Sequence, residues 1–368
     1  MYYRHAWLDI PSFVPKIEKD QSLPFVSVII SARNEGNNIA ECLNSMVHQS
    51  YPKESFEVIV INDHSEDNTA ELVSWFGRNT NNIRLVDLED YVRGAHLNSY
   101  KKKAIETGIS LSKGELIMTT DADCIVPEDW ISTVTSYYKQ HQSAMIASPV
   151  ALAIPEKSSG IKKFFYAFQA LDFATLQGIT GAALFKKFHY MANGANLAYP
   201  KNIFTEVNGF KGVDELASGD DMFLMEKIRL VRPNKIHYLK SRMSTVTTQP
   251  VHTIKLFFNQ RIRWASKSAS YRDYKIKTVL SLVYAINIWC LVLLAMGFYS
   301  KSFWQFVVFV GLKFLAELFF LLPVTRFFRQ RKLLFWFVLF QPFHIIYIIL
   351  AGWLGSFGRY QWKGRVVK

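Results

Sequence analysis

Apolar and polar positions between residues 25 and 123 alternate in a pattern that predicts strands and helices in turn. Short runs rich in Val and Ile, such as "FVSVIISA" (25–32), are typical of strands buried on both faces of a sheet. Longer segments with apolar residues every three or four positions separate them, as expected for helices. The predicted strands are 25–32, 56–63, 82–88 and 115–123, and the predicted helices are 33–49, 65–76 and 101–112. Strands that alternate with helices predict an α/β fold with a doubly wound parallel sheet.

The pattern changes near residue 278, where the chain becomes apolar and aromatic. The runs 278–299, 303–323 and 333–355 are each long enough to cross a bilayer, which needs about 20 residues. Lys313 and Glu317 lie four residues apart in the second run and can pair on one helix face. Pro342, near the middle of the third run, predicts a kink or a re-entrant break. A soluble protein with buried helices is the alternative for this region.

Charge refines this organisation. The chain has 368 residues and a net charge of +13. Basic residues prefer the cytoplasmic flank of membrane segments, which explains the excess, and no nucleic-acid recognition motif is present. The basic stretch 326–332 predicts a cytosolic loop and so a cytosolic location for residues 25–270. The basic tail 356–368 conflicts with three simple crossings, unless a hairpin at Pro342 returns it to the cytosol.

The predicted domains are an N-terminal extension (1–24), a cytosolic α/β domain (25–270), a transmembrane region (278–355) and a basic tail (356–368). The extension resembles neither a signal peptide nor a membrane span. Within the α/β domain, the spacing of apolar residues in 158–185 predicts an amphipathic helix on the membrane surface, with a core helix as the alternative. Cys42, Cys124 and Cys290 are far apart and predict no disulfide framework.

Polar residues follow three of the four predicted strands, at the edge where ligands of such sheets bind. They are Asn34 and Glu35, Asn62 and Asp63, and Asp121 and Asp123. The chain has neither GxGxxG after its first strand nor GxxxxGK[ST], which argues against a dinucleotide site and a P-loop. Two carboxylates at D-x-D spacing suit Mg²⁺ or Mn²⁺ shared with phosphate oxygens. Taken singly, Asp63 and Asp123 could equally be helix caps.

Five motifs, in this order, resemble those of the family 2 glycosyltransferases. They are "VSVIISARNEGNNIAECLNSM", "VIVINDHSEDNT", "TTDADCIVPEDW", "SGDDMFL" and "QRIRW", which together span residues 26–264. The predicted apolar helices after the Gln-x-x-Arg-Trp motif resemble those of the family's membrane-integrated branch. This branch includes cellulose, chitin and hyaluronan synthases and ceramide glucosyltransferases. The resemblance implies a GT-A-like, Rossmann-type nucleotide-sugar domain. It departs at Ser31, where the family often has Pro, and at Asp220, where it usually has Glu.

The resemblance implies donor-binding roles for the residues near the strand ends. Glu35 and Asp63 would contact the nucleobase or ribose. Lys101 would meet the diphosphate, although its neighbours Lys102 and Lys103 leave that assignment open. A separate pair would hold the divalent cation, with Asp123 as the main ligand and Asp121 as its partner toward the sugar.

The resemblance also implies which residues act on the acceptor. Asp221 would be the general base, with the adjacent Asp220 left open as an alternative. Gln260, Arg263 and Trp264 would close the acceptor side and hold the diphosphate. The segment 191–210 is similar to the acceptor-side segment that precedes the base.

The resemblance implies an inverting glycosyltransferase that moves a sugar from a nucleotide sugar, with UDP as the first choice, to a lipid-linked or polysaccharide acceptor. The expected location is a multi-pass protein of the plasma or inner membrane with its catalytic domain in the cytosol. The expected cofactor is Mg²⁺ or Mn²⁺, and nucleic acid is not an expected partner. A non-catalytic membrane scaffold or partner subunit with the same fold is one alternative. A nucleotidyl or phosphoryl transferase is another, which the Gln-x-x-Arg-Trp motif disfavours.

Overall fold

A computed structural model describes residues 1–15, 22–92, 97–216, 218–357, 360–362 and 365–367. The helices are α1 (Tyr2–Asp9), α2 (Ile39–Val47), α3 (Thr69–Asn79), α4 (Glu89–Val92), α5 (Tyr100–Leu111), α6 (Trp130–His141), α7 (Gly160–Phe185), α8 (Lys201–Glu206), α9 (Asp220–Val231), α10 (Ile254–Ser266), α11 (Tyr274–Ser300), α12 (Trp304–Phe327) and α13 (Phe337–Phe357). The strands are β1 (Val26–Ala32), β2 (Phe56–Asn62), β3 (Ile83–Asp87), β4 (Leu116–Asp121), β5 (Met145–Ala147), β6 (Val150–Leu152), β7 (Leu197–Pro200), β8 (Ile236–Tyr238), β9 (Val246–Thr248), β10 (Tyr360–Trp362) and β11 (Arg365–Val367).

The chain divides into two compact units. The α/β unit comprises residues 10–151 and 190–249, and the helical unit comprises residues 1–9, 152–189 and 250–368. Helices α7 and α10, which the sequence assigns to the segment 25–270, belong to the helical unit. The predicted domain limits at residues 24, 270 and 278 stay predictions.

The α/β unit is built on a seven-stranded sheet of order β3-β2-β1-β4-β7-β5-β8. The four predicted strands form its first part and pair in parallel, as predicted. The rest of the sheet is mixed, because β7 runs antiparallel to both β4 and β5. The parallel pairing predicted for residues 25–123 is therefore confirmed, and the later strands, for which the sequence made no prediction, complete a mixed sheet. The four residues of β7 are too few to show a strand pattern in the sequence.

The central strands form because their side chains are apolar on both faces and both faces are covered. Every residue of β2 is buried, and Ile29 and Ile30 of β1 are at most 1% exposed. Full burial of such a side chain stabilises the fold by about 1.5–3 kcal/mol. Helix α5 approaches the sheet at Gly108, where an added Cβ would lie 2.6 Å from Cγ2 of Ile29. A larger side chain at position 108 would push this helix off the sheet.

The register of the parallel strands brings their polar ends together. Ala32 pairs with Asn62 across β1 and β2, and Ser31 pairs with Asp121 across β1 and β4. Because parallel strands end at the same edge, the residues after β1, β2 and β4 share that edge. The candidate site lies there.

In the helical unit, three helices are long and apolar enough to cross a membrane, among the residues that the structure describes. They span Tyr274–Ser300, Trp304–Phe327 and Arg331–Ser356. Many of their large apolar side chains are exposed, including Trp289, Phe298, Trp304, Val338 and Trp353. Exposed apolar surface of this extent indicates association with a membrane.

Two expectations about these helices need correction. Helix α13 continues through Pro342, its sixth residue, so the re-entrant break is wrong, while a kink at this proline stays a prediction. Helix α7 is not amphipathic, since nine consecutive residues (166–174) are buried. Burial on every side of a helix is the property of a core helix, which was the alternative.

Candidate active site

Two loops of the α/β unit, after β1 and after β2, are joined by hydrogen bonds. The amide of Gly36 donates to Oδ2 of Asp67 at 2.9 Å, and the amide of Glu35 donates to Oγ1 of Thr69 at 2.8 Å. An added Cβ at Gly36 would lie 1.9 Å from Oδ1 of Asn68, so a larger residue there would require the side chains of Asn68 and Asp67 to move. Glu35, a predicted donor contact, also accepts a hydrogen bond from Nδ2 of Asn38 at 2.8 Å.

Asp63, the other predicted nucleoside contact, is 1% exposed at the end of β2. Its Oδ1 lies 3.0 Å from Nδ1 of His64 and 3.8 Å from Nη1 of Arg33, which also donates to the Asp63 carbonyl at 3.0 Å. The side chain of Asp63 is thus oriented by two basic neighbours. Sequence reasoning missed Arg33, although a basic residue directly after the first strand was a visible signal.

The D-x-D residues lie together after β4. Ligand atoms of Asp121, Asp123 and Cys124 all lie within 4.8 Å of one another. The side chain of Asp121 is 37% exposed, so its carboxylate is open to a ligand. The ammonium of Lys101 lies 2.7 Å from Oδ1 of Asp121, which shows that the position attracts a positive charge. Two neighbouring carboxylates suit Mg²⁺ or Mn²⁺, because such ions bind through one or two carboxylates and take their other ligands from substrate phosphates and water.

Cys124, which has no role in the sequence argument, supports this pair of carboxylates. Its thiol donates to Oδ1 of Asp123 at 3.5 Å, and its amide donates to the carbonyl of Asp121 at 3.1 Å. Burial, together with the charges of Asp123 and Asp121, raises the pKa of this thiol well above its usual value. A protonated thiol orients Asp123 and leaves the hard cation to oxygen ligands.

Lys101 also connects the D-x-D motif to the acidic pair at the start of α9. Its ammonium lies 3.7 Å from Oδ2 of Asp220, 119 residues later in the chain. Burial alone would lower the pKa of Lys101, but the carboxylates of Asp121, Asp220 and Asp221 outweigh it and raise the pKa. The side chain of Lys101 therefore stays protonated and places a positive charge between the two acidic motifs.

The two acidic residues of α9 have different surroundings. The carboxylate of Asp221 accepts hydrogen bonds from the amide of Gly194 at 3.1 Å and from the amide of Met222 at 2.8 Å. An added Cβ at Gly194 would lie 3.1 Å from Oδ2 of Asp220, so glycine keeps the space beside both carboxylates open. Gly194 belongs to the predicted acceptor-side segment 191–210, and its carbonyl accepts from Thr119 of β4 at 3.1 Å.

The structure separates the three neighbouring lysines of α5. Lys101 faces the acidic residues, whereas Lys102 is 1% exposed and donates to carbonyls in the loop before α9. The acceptors are Val213 at 2.6 Å, Ser218 at 3.3 Å and Leu216. This contact of Lys102 was missed, because a buried lysine that binds carbonyls leaves no sequence pattern.

The residues of the Gln-x-x-Arg-Trp motif lie on α10 of the helical unit. Gln260, Arg263 and Trp264 are each partly exposed. The ring of Trp264 lies 6.3 Å from that of Phe173 of α7. The structure thus brings Lys101, Asp121 and Asp220 together in the α/β unit, while this motif belongs to the other unit.

Known proteins support the family suggested by the motifs. Residues 27–181 match the family model described as glycosyl transferase family 2. The chain is similar to the glycosyltransferase AglE of Haloferax volcanii, with 31% identity over 143 residues, which cover 39% of this chain and 45% of that protein. It is also similar to the poly-beta-1,6-N-acetyl-D-glucosamine synthase of Staphylococcus epidermidis, with 26% identity over 253 residues, 67% of this chain and 55% of that protein. The chain therefore spans about half the length of these curated relatives.

A solved structure extends the likeness in fold. The mannosyltransferase PcManGT from Pyrobaculum calidifontis, in complex with GDP-Man and Mn²⁺, aligns with a TM-score of 0.55 at 16% identity. The alignment covers 97% of this chain and 94% of that one. At this identity the likeness concerns the fold, and it agrees with the predicted GT-A-like architecture followed by apolar helices.

Proposed function

We propose, on the premise that residues 27–181 make this chain a family 2 glycosyltransferase, that it moves a sugar from a nucleoside diphosphate sugar to a lipid-linked or polysaccharide acceptor at a membrane. The observation that carries the proposal is the position of Lys101. Its ammonium lies between Asp121 of the D-x-D motif and Asp220 of the acidic motif. A diphosphate bound near this ammonium would leave its sugar close to a candidate base.

The carboxylates of Asp123 and Asp121 would hold the divalent cation, which supplies positive charge to the leaving diphosphate. Lys101 would turn from Asp121 toward the phosphate oxygens when the donor binds, because a bound cation takes over the neutralisation of Asp121. Glu35 and Asp63 would contact the nucleoside, and their hydrogen bonds hold them in place beforehand. Preformed polar contacts of this kind lower the cost of ordering the site around the donor.

Asp221 would remove the proton from the acceptor hydroxyl as that oxygen attacks the anomeric carbon. Attack opposite the leaving group inverts the configuration there. Two amide donors, from Gly194 and Met222, fix the orientation of the carboxylate of Asp221. Asp220 is the alternative base, because it directly precedes Asp221 at the start of α9.

The acceptor side would involve Gln260, Arg263 and Trp264, with Arg263 adding positive charge for the diphosphate and Trp264 a flat apolar face for a sugar. The three apolar helices would anchor the enzyme as a multi-pass membrane protein. The basic loop 326–332 favours a cytosolic position for the catalytic residues.

The donor nucleotide is the least constrained part of the proposal. A UDP-sugar is the first choice, on the resemblance to the family. GDP-mannose is the second candidate, because the structurally similar PcManGT was solved with GDP-Man and Mn²⁺.

The test measures nucleoside diphosphate release by the detergent-purified full chain from a panel of UDP- and GDP-sugars, with Mn²⁺ or EDTA and with or without membrane lipid extract. We expect Mn²⁺-dependent release from one donor class, increased by the extract. Glu128→Gln is the matched control for Asp123→Asn, because Glu128 is an exposed carboxylate five residues from Asp123. Absence of release from every donor under all conditions would count for the alternative of a non-catalytic scaffold.

A further inference from the structure

The second residue of the "QRIRW" motif, Arg261, is buried and has no role in the proposed mechanism. Its side chain is 4% exposed, whereas the other motif residues are partly exposed. An arginine is almost never fully buried unless it is paired. The burial of Arg261 therefore requires a specific reason inside the helical unit.

The partner of Arg261 is Asp172, which lies in the buried middle of α7. Nη2 of Arg261 lies 2.7 Å from Oδ2 of Asp172, whose side chain is 5% exposed. The hydroxyl of Tyr347, from α13, donates to the other carboxylate oxygen of Asp172. Nε2 of His344, one turn earlier on α13, lies 3.9 Å from the same oxygen. The ion pair joins α10 to α7, and the contacts of Tyr347 and His344 with Asp172 join α13 to both.

The guanidinium of Arg261 is also stacked between aromatic rings. Its central carbon lies 4.3 Å from the ring centre of Trp264 and 4.8 Å from that of Phe257. At 100° per residue, positions 257, 261 and 264 share one face of α10, while Arg263 points away from it. The contact of Arg261 therefore concerns Trp264 among the motif residues.

Stacking has unusual weight here, because the guanidinium has few other contacts. Within the described residues, Nε and Nη1 of Arg261 are buried without a hydrogen-bond partner. The ion pair with Asp172 and the ring faces are what hold the cation. A cation desolvated over an indole ring attracts it strongly, and the planar guanidinium does so in a fixed orientation that an ammonium cannot reproduce.

We propose that Arg261, paired with Asp172, is a positioning residue that fixes the ring of Trp264, and that Tyr347 ties this pair to the apolar helix α13. The inference rests on the proposed function only in giving Trp264 a task at the acceptor. The placement of the ring itself is a structural claim, and it is open to a measurement that requires no activity.

The structural test uses ¹⁹F NMR of the detergent-solubilised full chain labelled with 5-fluorotryptophan. Trp264→Phe identifies the Trp264 resonance by its disappearance. We expect Arg261→Lys and Asp172→Asn to shift or broaden that resonance and leave those of the other tryptophans largely unchanged. Lys255→Met is the control, because Lys255 is an exposed cation on the same helix. A Trp264 resonance that stays unchanged in Arg261→Lys overturns the proposal.

The kinetic test compares donor KM with kcat for Arg261→Lys, Trp264→Phe and the double variant. We expect each single variant to lower kcat about tenfold to a hundredfold with donor KM within about twofold, and the double variant to lose no more than the worse single one. Losses that multiply in the double variant would show that Arg261 acts independently of Trp264, and would also overturn the proposal.

The two readouts separate the inference from the proposed function. If the wild-type chain releases no nucleoside diphosphate, the function fails and the NMR result alone decides the placement of Trp264. If Asp172→Asn does not fold, Tyr347→Phe takes its place, since it keeps both charges and removes only the hydroxyl that orients Asp172. A shifted Trp264 resonance in Tyr347→Phe supports the link to α13, and an unshifted one overturns that part.

Discussion

The two units of this protein each contain a lysine or arginine 2.7 Å from an aspartate, in opposite environments. In the α/β unit, Lys101 and Asp121 are 24% and 37% exposed. In the helical unit, Arg261 and Asp172 are 4% and 5% exposed. The distance is the same, but water reaches one pair and not the other.

This difference decides what each pair can do. A partly exposed pair is screened by water, so its partners can separate at a smaller cost than those of a buried pair when a ligand arrives. Removing either partner of a buried pair lowers the free energy of unfolding by several kcal/mol, because the remaining charge stays in a medium that cannot solvate it. The first arrangement suits a site that exchanges a lysine for a cation and a phosphate. The second suits a fixed support.

The largest effect is expected at the candidate base, which tests the chemical side of this comparison. Asp221→Asn keeps the size of the side chain and removes its capacity to accept a proton. We expect kcat for sugar transfer to fall by about 10²–10⁴. Asp220→Asn should cost less. A larger loss in Asp220→Asn would move the base to that residue.

Removal of the main cation ligand comes next. Asp123→Asn should lower Mn²⁺-dependent nucleoside diphosphate release by about 10³, since metal stabilisation of the leaving group is worth several kcal/mol. Isothermal titration with Mn²⁺ should show weakened binding in the same variant. Glu128→Gln should match the wild type, and equal losses in both variants would argue against a specific cation site.

Stability should respond most at the buried pair. Asp172→Asn or Arg261→Met is expected to lower the free energy of unfolding by about 3–5 kcal/mol, and the double variant Asp172→Asn/Arg261→Met should recover part of that loss. Thermal unfolding in detergent measures it as a drop in apparent Tm. Lys101→Met, at the partly exposed pair, should lower the free energy of unfolding by less, about 1 kcal/mol. Similar drops for both pairs would remove the distinction drawn here.

Adjacent lysines provide a finer test within the α/β unit. Lys101→Met should raise donor KM about tenfold, with apparent Tm little changed. Lys102→Met should do the reverse, because it leaves carbonyls before α9 without their buried donor at a cost of about 1–3 kcal/mol. Interchanged results would mean that Lys102, and not Lys101, serves the donor.

The last effect, which appears only at acid pH, concerns a buried group of the helical unit. Burial, partly opposed by Asp273, lowers the pKa of His189 to about 4, and its Nε2 lies 2.8 Å from the hydroxyl of Tyr3. Between pH 6.5 and 4 the unfolded chain binds a proton there that the folded chain does not. Stability should therefore fall by up to about 3 kcal/mol as pH decreases through that window. His189→Phe should flatten this part of the curve of apparent Tm against pH.

Local patterns were enough to predict the first four strands, the helices between them and the apolar helices. The two-residue spacing of Asp121 and Asp123 and the "QRIRW" motif likewise marked the candidate residues. The antiparallel β7 and the buried α7 were not predictable, because a four-residue strand has no period and an apolar helix with isolated charges reads as amphipathic. Asp172 of α7 is an example, since its charge is buried against Arg261, about ninety residues later in the chain.

By itself, the sequence determined the kinds of chemistry present: carboxylates at strand ends, a basic motif after them and apolar helices long enough for a membrane. These follow from residue type and local spacing, which act over a few residues. Tertiary structure alone decided which lysine faces the carboxylates, that Cys124 supports Asp123, and that Arg261 is paired with Asp172. Burial and pairing between distant residues depend on how the elements pack, and local sequence does not contain that information.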